Sequence, residues 1–200
     1  MTFRSLKKQG VLGMNARIGN YMNPLNPRQF YPYLDNKVLS AKLAQDKGIP
    51  TPKTYFVFET NGDVRHLEQI LAHHPSFVVK PAHGYQGKGV IVIDRSEDTG
   101  GQTPRFVKAG GEILSFKDLR YHILQTMSGL YSLSGFPDQV LLQYRVKIHP
   151  TFHPYIHHGV PDIRVIVYLG YPVMAMTRLP TQTSDGRANL HQGAVGAGIN

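Results

Sequence analysis

Between Phe77 and Ile93 the chain reads Phe-Val-Val-Lys-Pro-Ala-His-Gly-Tyr-Gln-Gly-Lys-Gly-Val-Ile-Val-Ile. Two β-branched runs flank a loop containing three glycines, which predicts strand, Gly-rich turn, strand. Glycine-rich hairpins are common, so the arrangement has to be read with its neighbours. A P-loop is excluded, because no Gly-Lys-Ser/Thr opens a helix, and a dinucleotide fingerprint is excluded, because a strand follows the glycines. What remains is a flexible hairpin lid. Glycines let backbone N–H groups approach a ligand with no Cβ in the way. Lys80 closes an apolar strand, so its head emerges at a rim, where an ammonium is a point charge suited to phosphate oxygens. The plainer alternative is a solvated hairpin with Lys80 and Lys88 in water.

Two hundred residues, 41% of them hydrophobic, suffice for one sizeable domain or two small ones. No apolar run is long enough to span a bilayer. The basic start, Arg4 to Lys8, lacks the apolar stretch of a secretory signal. The absence of cysteine excludes disulfides and thiolate metal sites and fits a cytoplasmic location. A net charge of +9 points to nucleic acid, an acidic membrane surface or a highly anionic ligand. The cations are scattered rather than clustered, which disfavours nucleic acid. After Asp138 the only carboxylates are Asp162 and Asp185, too few to build a Mg²⁺ site in that half.

Residues 1–34, rich in Asn, Pro and Tyr, predict an extended arm over a partner surface. Asp35 is the expected N-cap of a helix with Leu39, Leu43 and Ala44 on its apolar face and Lys37 one turn in. Gly48 ends it, and Pro50 and Pro52 forbid resumption. A strand is expected at 54–58, a turn at Asn61-Gly62-Asp63 and a short helix over 64–73. A short strand follows at 105–107. Ser115 caps a helix running to Met127, with Phe116, Leu119, Ile123 and Leu124 on one side. Residues 139–144 form a buried strand and 147–161 a loop. Runs 163–169 and 173–179 make a hairpin around Gly170-Tyr171-Pro172. The tail from Gly186 is expected to end without a closing element. The class is α+β with antiparallel strands.

Candidate chemistry sits at the strand ends. Gln143-Tyr144-Arg145-Val146 ends a buried strand and reads either as a plain strand end or as a hinge whose backbone bonds a purine edge. Asp162 and Arg164 either bridge to each other or meet a ribose hydroxyl and a phosphate or acyl-phosphate oxygen. Arg187 to Gly193 is dense in polar donors. Arg187 there would stabilise charge on a transferring phosphoryl group, with Asn189 beside it. His149, His153, His157 and His158 lie in a proline-rich loop without helical spacing, cysteine or paired carboxylates, which speaks against zinc. No metal ligands are assigned.

Taken in order, these pieces resemble the ATP-grasp superfamily, and more narrowly the alpha-L-glutamate ligase-like relatives of the enzymes that add glutamate to a ribosomal protein. The resemblance rests on Gly13-Met14-Asn15, Asn26-Pro27-Arg28, Asp35-Asn36-Lys37 with Gly48-Ile49-Pro50, and Val79-Lys80-Pro81 with the Gly-rich loop. It continues through Leu142-Gln143-Tyr144, Asp162-Ile163-Arg164 and Asn189 to Gly193. It implies two α+β subdomains with mainly antiparallel sheets clamping ATP. Residues 1–34 would be an arm, 35–145 the lid subdomain and 146–200 the start of the second, with its C-terminal part missing. Lys37 and Lys80 would hold phosphates, and Gly84, Gln86, Gly87 and Gly89 would form the lid. Gln143, Tyr144, Arg145 and Val146 would line the adenine, and Asp162 would meet the ribose. Arg164, Arg187 and Asn189 would serve catalysis. The implied reaction joins a small carboxylate such as glutamate to an amine or peptide through an acyl phosphate. It uses ATP and Mg²⁺, with the metal ligands expected downstream of Asn200, so the piece would be inactive alone. Tyr144 stands where related hinges commonly carry an acid. The alternatives are a non-catalytic nucleotide-binding module and, more distantly, a nucleic-acid binder.

Overall fold

The computed structural model describes residues 3–97, 100, 103–132, 135–156, 158–184 and 186–199. His157 and Asp185 lie outside them. The N-terminal stretch is not extended, as expected above, but winds through helical turns. These are α1 Phe3–Lys8, α2 Met14–Arg17 running through a π turn Ile18–Met22 into α3 Asn23–Leu25, a 3₁₀ turn Arg28–Phe30 and α4 Tyr31–Asp35. Pro24 and Pro32 sit in the first turns of α3 and α4. There the missing N–H has no intrahelical partner to lose, so proline starts a turn instead of forbidding one. The arm touches the molecule itself, with the Tyr21 and Tyr168 rings 6.3 Å apart.

Helix α5 spans Lys37–Asp46. Its N-cap is Asn36 rather than Asp35: the Asn36 carboxamide oxygen accepts from Val38 N at 2.8 Å and Leu39 N at 3.2 Å. Lys37 is therefore its first residue. Gly48, at φ +69, ends the helix as expected. The expected apolar face is not buried; α5 buries no residue. It is tied to the rest by its N-terminus, where Lys37 N donates to Ala82 O at 3.1 Å.

Six antiparallel strands form the main sheet, in the order β1-β6-β2-β3-β4-β5. They are β1 Thr54–Phe58, β2 Phe77–Pro81, β3 Ile91–Glu97, β4 Arg105–Lys108, β5 Ile113–Ser115 and β6 Val140–Gln143. A 3₁₀ turn Asp63–His66, then α6 Leu67–Leu71 and α7 Phe116–Met127 complete this part. The core joins Val64, Leu67, Leu71, Leu119, Ile123 and Met127 to Phe58, Phe77, Val79, Ile93, Phe106, Val140 and Leu142 of the sheet. Side chains alternate along a strand. Phe77 and Val79 thus face the core, while Val78 and Lys80 turn to the opposite face. There they register with Gln143 and Leu141 of β6.

A second sheet has the order β7-β8-β9, with β7 Asp162–Tyr168, β8 Tyr171–Leu179 and β9 Val195–Ile199. The β7–β8 turn falls at Leu169 and Gly170, φ 50 and 88, so Tyr171 and Pro172 belong to the strand and not to the turn. Both φ values are left-handed, which matches the twist of a tight hairpin. Strand β9 overturns the expectation of an open tail. Its Gly/Ala-rich sequence carries little strand propensity, yet its backbone pairs with β8 from Leu179↔Val195 to Ala175↔Ile199. The loop 147–161 holds a 3₁₀ turn, Pro150–Tyr155. Among the described residues no helix is long and apolar enough to cross a membrane.

Candidate nucleotide site

The face of the main sheet opposite its core is roofed by the 158–160 and 186–187 segments. The space between is a cavity of about 680 Å³, within the range of small-molecule sites. Val78, Val90 and Val92 form its floor, with Val146, Ile148 and Val160 around them and Lys80 and Arg187 at its polar end. Gln143 is buried, and its Nε2 donates to Thr54 Oγ1 at 2.9 Å. That bond follows from the cross-strand pairing of the two residues. The N–H of Tyr144 is already used by Lys53 O at 2.8 Å. The N–H of Val146 has no partner among the described residues. Arg145 pairs with Asp94 at 2.7 Å.

A second cavity of about 530 Å³ adjoins the first and shares Arg187 with it. Gln86 and Gly87 of the Gly-rich loop line it, with Asp162, Arg164, Arg178, Asn189 and His191. Asp162 does not bridge to Arg164. It faces Arg178 across β7 and β8, and the Arg178 guanidinium donates to both of its oxygens, Nε to Oδ1 at 2.7 Å. That bond holds the guanidinium charged well above its ordinary range. Asp162 thus stands in the outer cavity with its carboxylate engaged, not in the apolar cavity beside the hinge. Asn189 Oδ1 accepts from His191 N at 3.2 Å and caps a 3₁₀ turn, Leu190–Gln192.

The Gly-rich loop is a flap pinned at both ends. Lys37 Nζ donates to Gly84 O at 2.6 Å and to Ala82 O at 3.1 Å. At the other end His122 Nε2 meets Gly89 O at 2.9 Å, and a Cβ on Gly89 would lie 2.5 Å from Tyr131 Cδ2. Gln86 and Gly87, φ 53 and 75, turn the tip over. A Cβ on Gly87 would stand 3.4 Å from Arg187 Cδ, an ordinary contact, so it is the left-handed φ rather than lack of space that favours glycine there. Lys88 is engaged with Tyr85, Nζ to OH at 3.0 Å. Burial, aided by the charge of Lys37, pushes the Lys80 ammonium down to about 8. Burial also lowers Lys37, against the opposing pull of Asp138 and Asp35.

The predicted residues therefore fall into three groups. Lys80, Gln143, Tyr144, Arg145 and Val146 line the apolar cavity; Gln86, Gly87, Asp162, Arg164 and Asn189 line the outer one; Arg187 serves both. Lys37, Gly84 and Gly89 line neither and instead form the flap's attachments. Arg178 escaped sequence reading: a regular count back from the β7–β8 turn would set Thr177 opposite Asp162, and only the bulge between Ile166 and Val167 brings Arg178 there. His149, His153 and His158 gather no partners for a metal: among the described residues no group of three or more His, Asp or Glu could hold an ion.

A Gly-rich flap over a cationic cavity, joined to an apolar one between two antiparallel sheets, defines the nucleotide-gripping class of ATP-grasp proteins. The family model for sugar-transfer associated ATP-grasp matches residues 16–200, and the chain belongs to that family. A search of curated proteins found no match. Membership brings an ATP-dependent, ligase-like function, with ATP as ligand. The cradle fits ATP: cations beside an apolar slot, under a flap whose tip turns through left-handed backbone at Gln86 and Gly87. For Mg²⁺, which the family also implies, the described residues offer no group of three or more His, Asp or Glu.

Proposed function

We propose that the chain grips ATP across the joined cavities as part of an ATP-dependent carboxylate–amine ligase of the glutamate type. The observation that carries this reading is Arg187, common to both cavities and packed against Gly87 of the flap. In this reading residues 35–145 are the flap-bearing subdomain and 146–200 belong to the second. The purine lies among Val78, Val92 and Val146, whose N–H offers a donor. The phosphates run past Lys80 toward Arg187. Lys37 would reach them only by releasing Gly84 O, and Asp162 would reach a ribose only by releasing Arg178.

The terminal phosphoryl then enters the outer cavity. A substrate carboxylate oxygen attacks the γ-phosphorus, and the bond to ADP breaks, leaving an acyl phosphate. The amine nitrogen attacks the acyl carbon, inorganic phosphate departs, and the amine's proton passes to solvent. Arg164 and Arg187 serve by cancelling charge as it spreads over the transferring group, and Asn189 by donating a hydrogen bond to it. Arg178, held by Asp162, adds a further cation to the same wall. The flap keeps water from the acyl phosphate.

The test combines ATP calorimetry with ATP-dependent phosphate release, offering glutamate and a panel of amines. Amino sugars belong in the panel, in keeping with the family's sugar-transfer association. Phosphate release that requires both partners is expected. ATP binding with no release across the panel overturns the ligase in favour of a nucleotide-binding module. No ATP binding overturns both.

A further inference from the structure

Asp138 is the most buried carboxylate in the described chain, its side chain wholly out of solvent, and it lines neither cavity. Its Oδ2 accepts from His83 N at 3.0 Å, and its Oδ1 meets His83 Nδ1 at 2.7 Å and accepts from Gln139 N at 2.8 Å. His83 is the residue just before the first flap glycine. On either side of it, Ala82 O and Gly84 O accept from Lys37 Nζ. Ala82 N is held by Gln139 O at 2.9 Å, and Gly84 bridges to Ser132. The flap root is thus gripped from two directions. An ammonium takes its carbonyls and a carboxylate takes its N–H and the His83 ring. Past Gly84 the tip bonds within itself, Lys88 N to Tyr85 O at 3.0 Å and Lys88 Nζ to Tyr85 OH at 3.0 Å.

We propose that Asp138 is a positioning residue for the nucleotide: with Lys37 it clamps residues 82–84, so that flap motion is confined to the segment between Gly84 and Gly89. A buried carboxylate that accepts several hydrogen bonds, some from backbone, is costly to desolvate unless each bond is kept. That cost makes the junction stiff. A stiff root and a free tip let the flap lift for ATP and return to one place, which lowers the ordering cost of closure. The proposal rests on the nucleotide reading above, but its first test does not.

Lys88 is exposed at the tip, so trypsin cleavage after it reports flap opening in the nucleotide-free protein. Lys117, exposed in the first turn of α7, is the internal reference. Asp138→Asn keeps the size and removes the charge. It is expected to raise the ratio of Lys88 to Lys117 cleavage about tenfold and to weaken ATP binding by a similar factor, the flap losing its fixed landing. His83→Ala removes the ring contact while leaving the backbone bond, and should raise the ratio by a smaller factor; it also serves if Asp138→Asn does not fold. A general loss of stability would move both cleavage sites together, leaving the ratio unchanged, and that result overturns the clamp even where ATP affinity falls. Failure of the wild-type protein to bind ATP overturns the nucleotide reading instead, which the cleavage ratio does not touch.

Discussion

Lys80 shows how one residue couples site and stability. Its ammonium is pushed down to about 8 from 10.5, first by burial and then by Lys37. Below pH 8 it is charged in both the folded and unfolded chain, so the full penalty applies, roughly 3 kcal/mol. The penalty is relieved as pH rises from about 8 toward 10.5. A polyphosphate reverses the balance by giving the ammonium a partner. Nucleotide affinity should therefore hold steady up to about pH 7.5 and fall up to about tenfold per unit above 8, with uptake of a fraction of a proton on binding. Calorimetry in buffers of different ionisation enthalpy measures that uptake. Lys80→Met should abolish both slope and uptake and weaken ATP binding. At pH 7 it should also melt higher, by the equivalent of roughly 1–3 kcal/mol, since the buried charge is gone. A variant that retains the alkaline slope shows that another group carries it.

At the scale of elements, the flap and α7 depend on each other. His122 and Tyr131 hold Gly89 from α7 and the turn after it. Gly89→Ala meets Tyr131 at 2.5 Å and strains a φ of +73, so it should cost about 1–3 kcal/mol and displace the flap. Ser115→Ala removes the bond from Asp118 N and should cost about 1 kcal/mol through the lost cap. It makes the control: denaturant melts should drop for both variants, while ATP affinity drops only for Gly89→Ala. Equal loss of affinity in the two would mean that the flap answers to overall stability alone. Helix α7 was legible because its cap, its period and its apolar face agree. The Gly-rich hairpin was legible because two β-branched runs bracket it. The arm was not, since prolines that open helical turns look the same as prolines that prevent them. Strand β9 was not, since pairing through backbone leaves no mark in a Gly/Ala run. Arg178 was hidden because its partner is set by a register that only the folded hairpin displays.

Over the whole molecule the net charge of +9 can act in two ways, and the structure separates them. Spread over the surface, it attracts any polyanion weakly and fades within a Debye length of about 8 Å at physiological salt. Concentrated at a site, it grips one anion. Among the described residues the outer cavity sets Arg164, Arg178 and Arg187 against a single carboxylate, Asp162, which Arg178 already holds. Lys80 adds a partly buried charge at the adjoining cavity. Charges in such a cleft are screened less than those on the open surface. Raising salt from 50 to 500 mM should weaken ATP by about tenfold or less, while adenosine, which lacks the phosphates, should hardly respond. Single-stranded RNA should behave differently, losing about a thousandfold or more over the same range, as binding by scattered surface cations does. Equilibrium titrations of the three ligands on one preparation compare them directly. If RNA binds more tightly than ATP at 150 mM salt and displaces it, the cations serve a nucleic-acid surface and the flap closes on something other than a nucleotide.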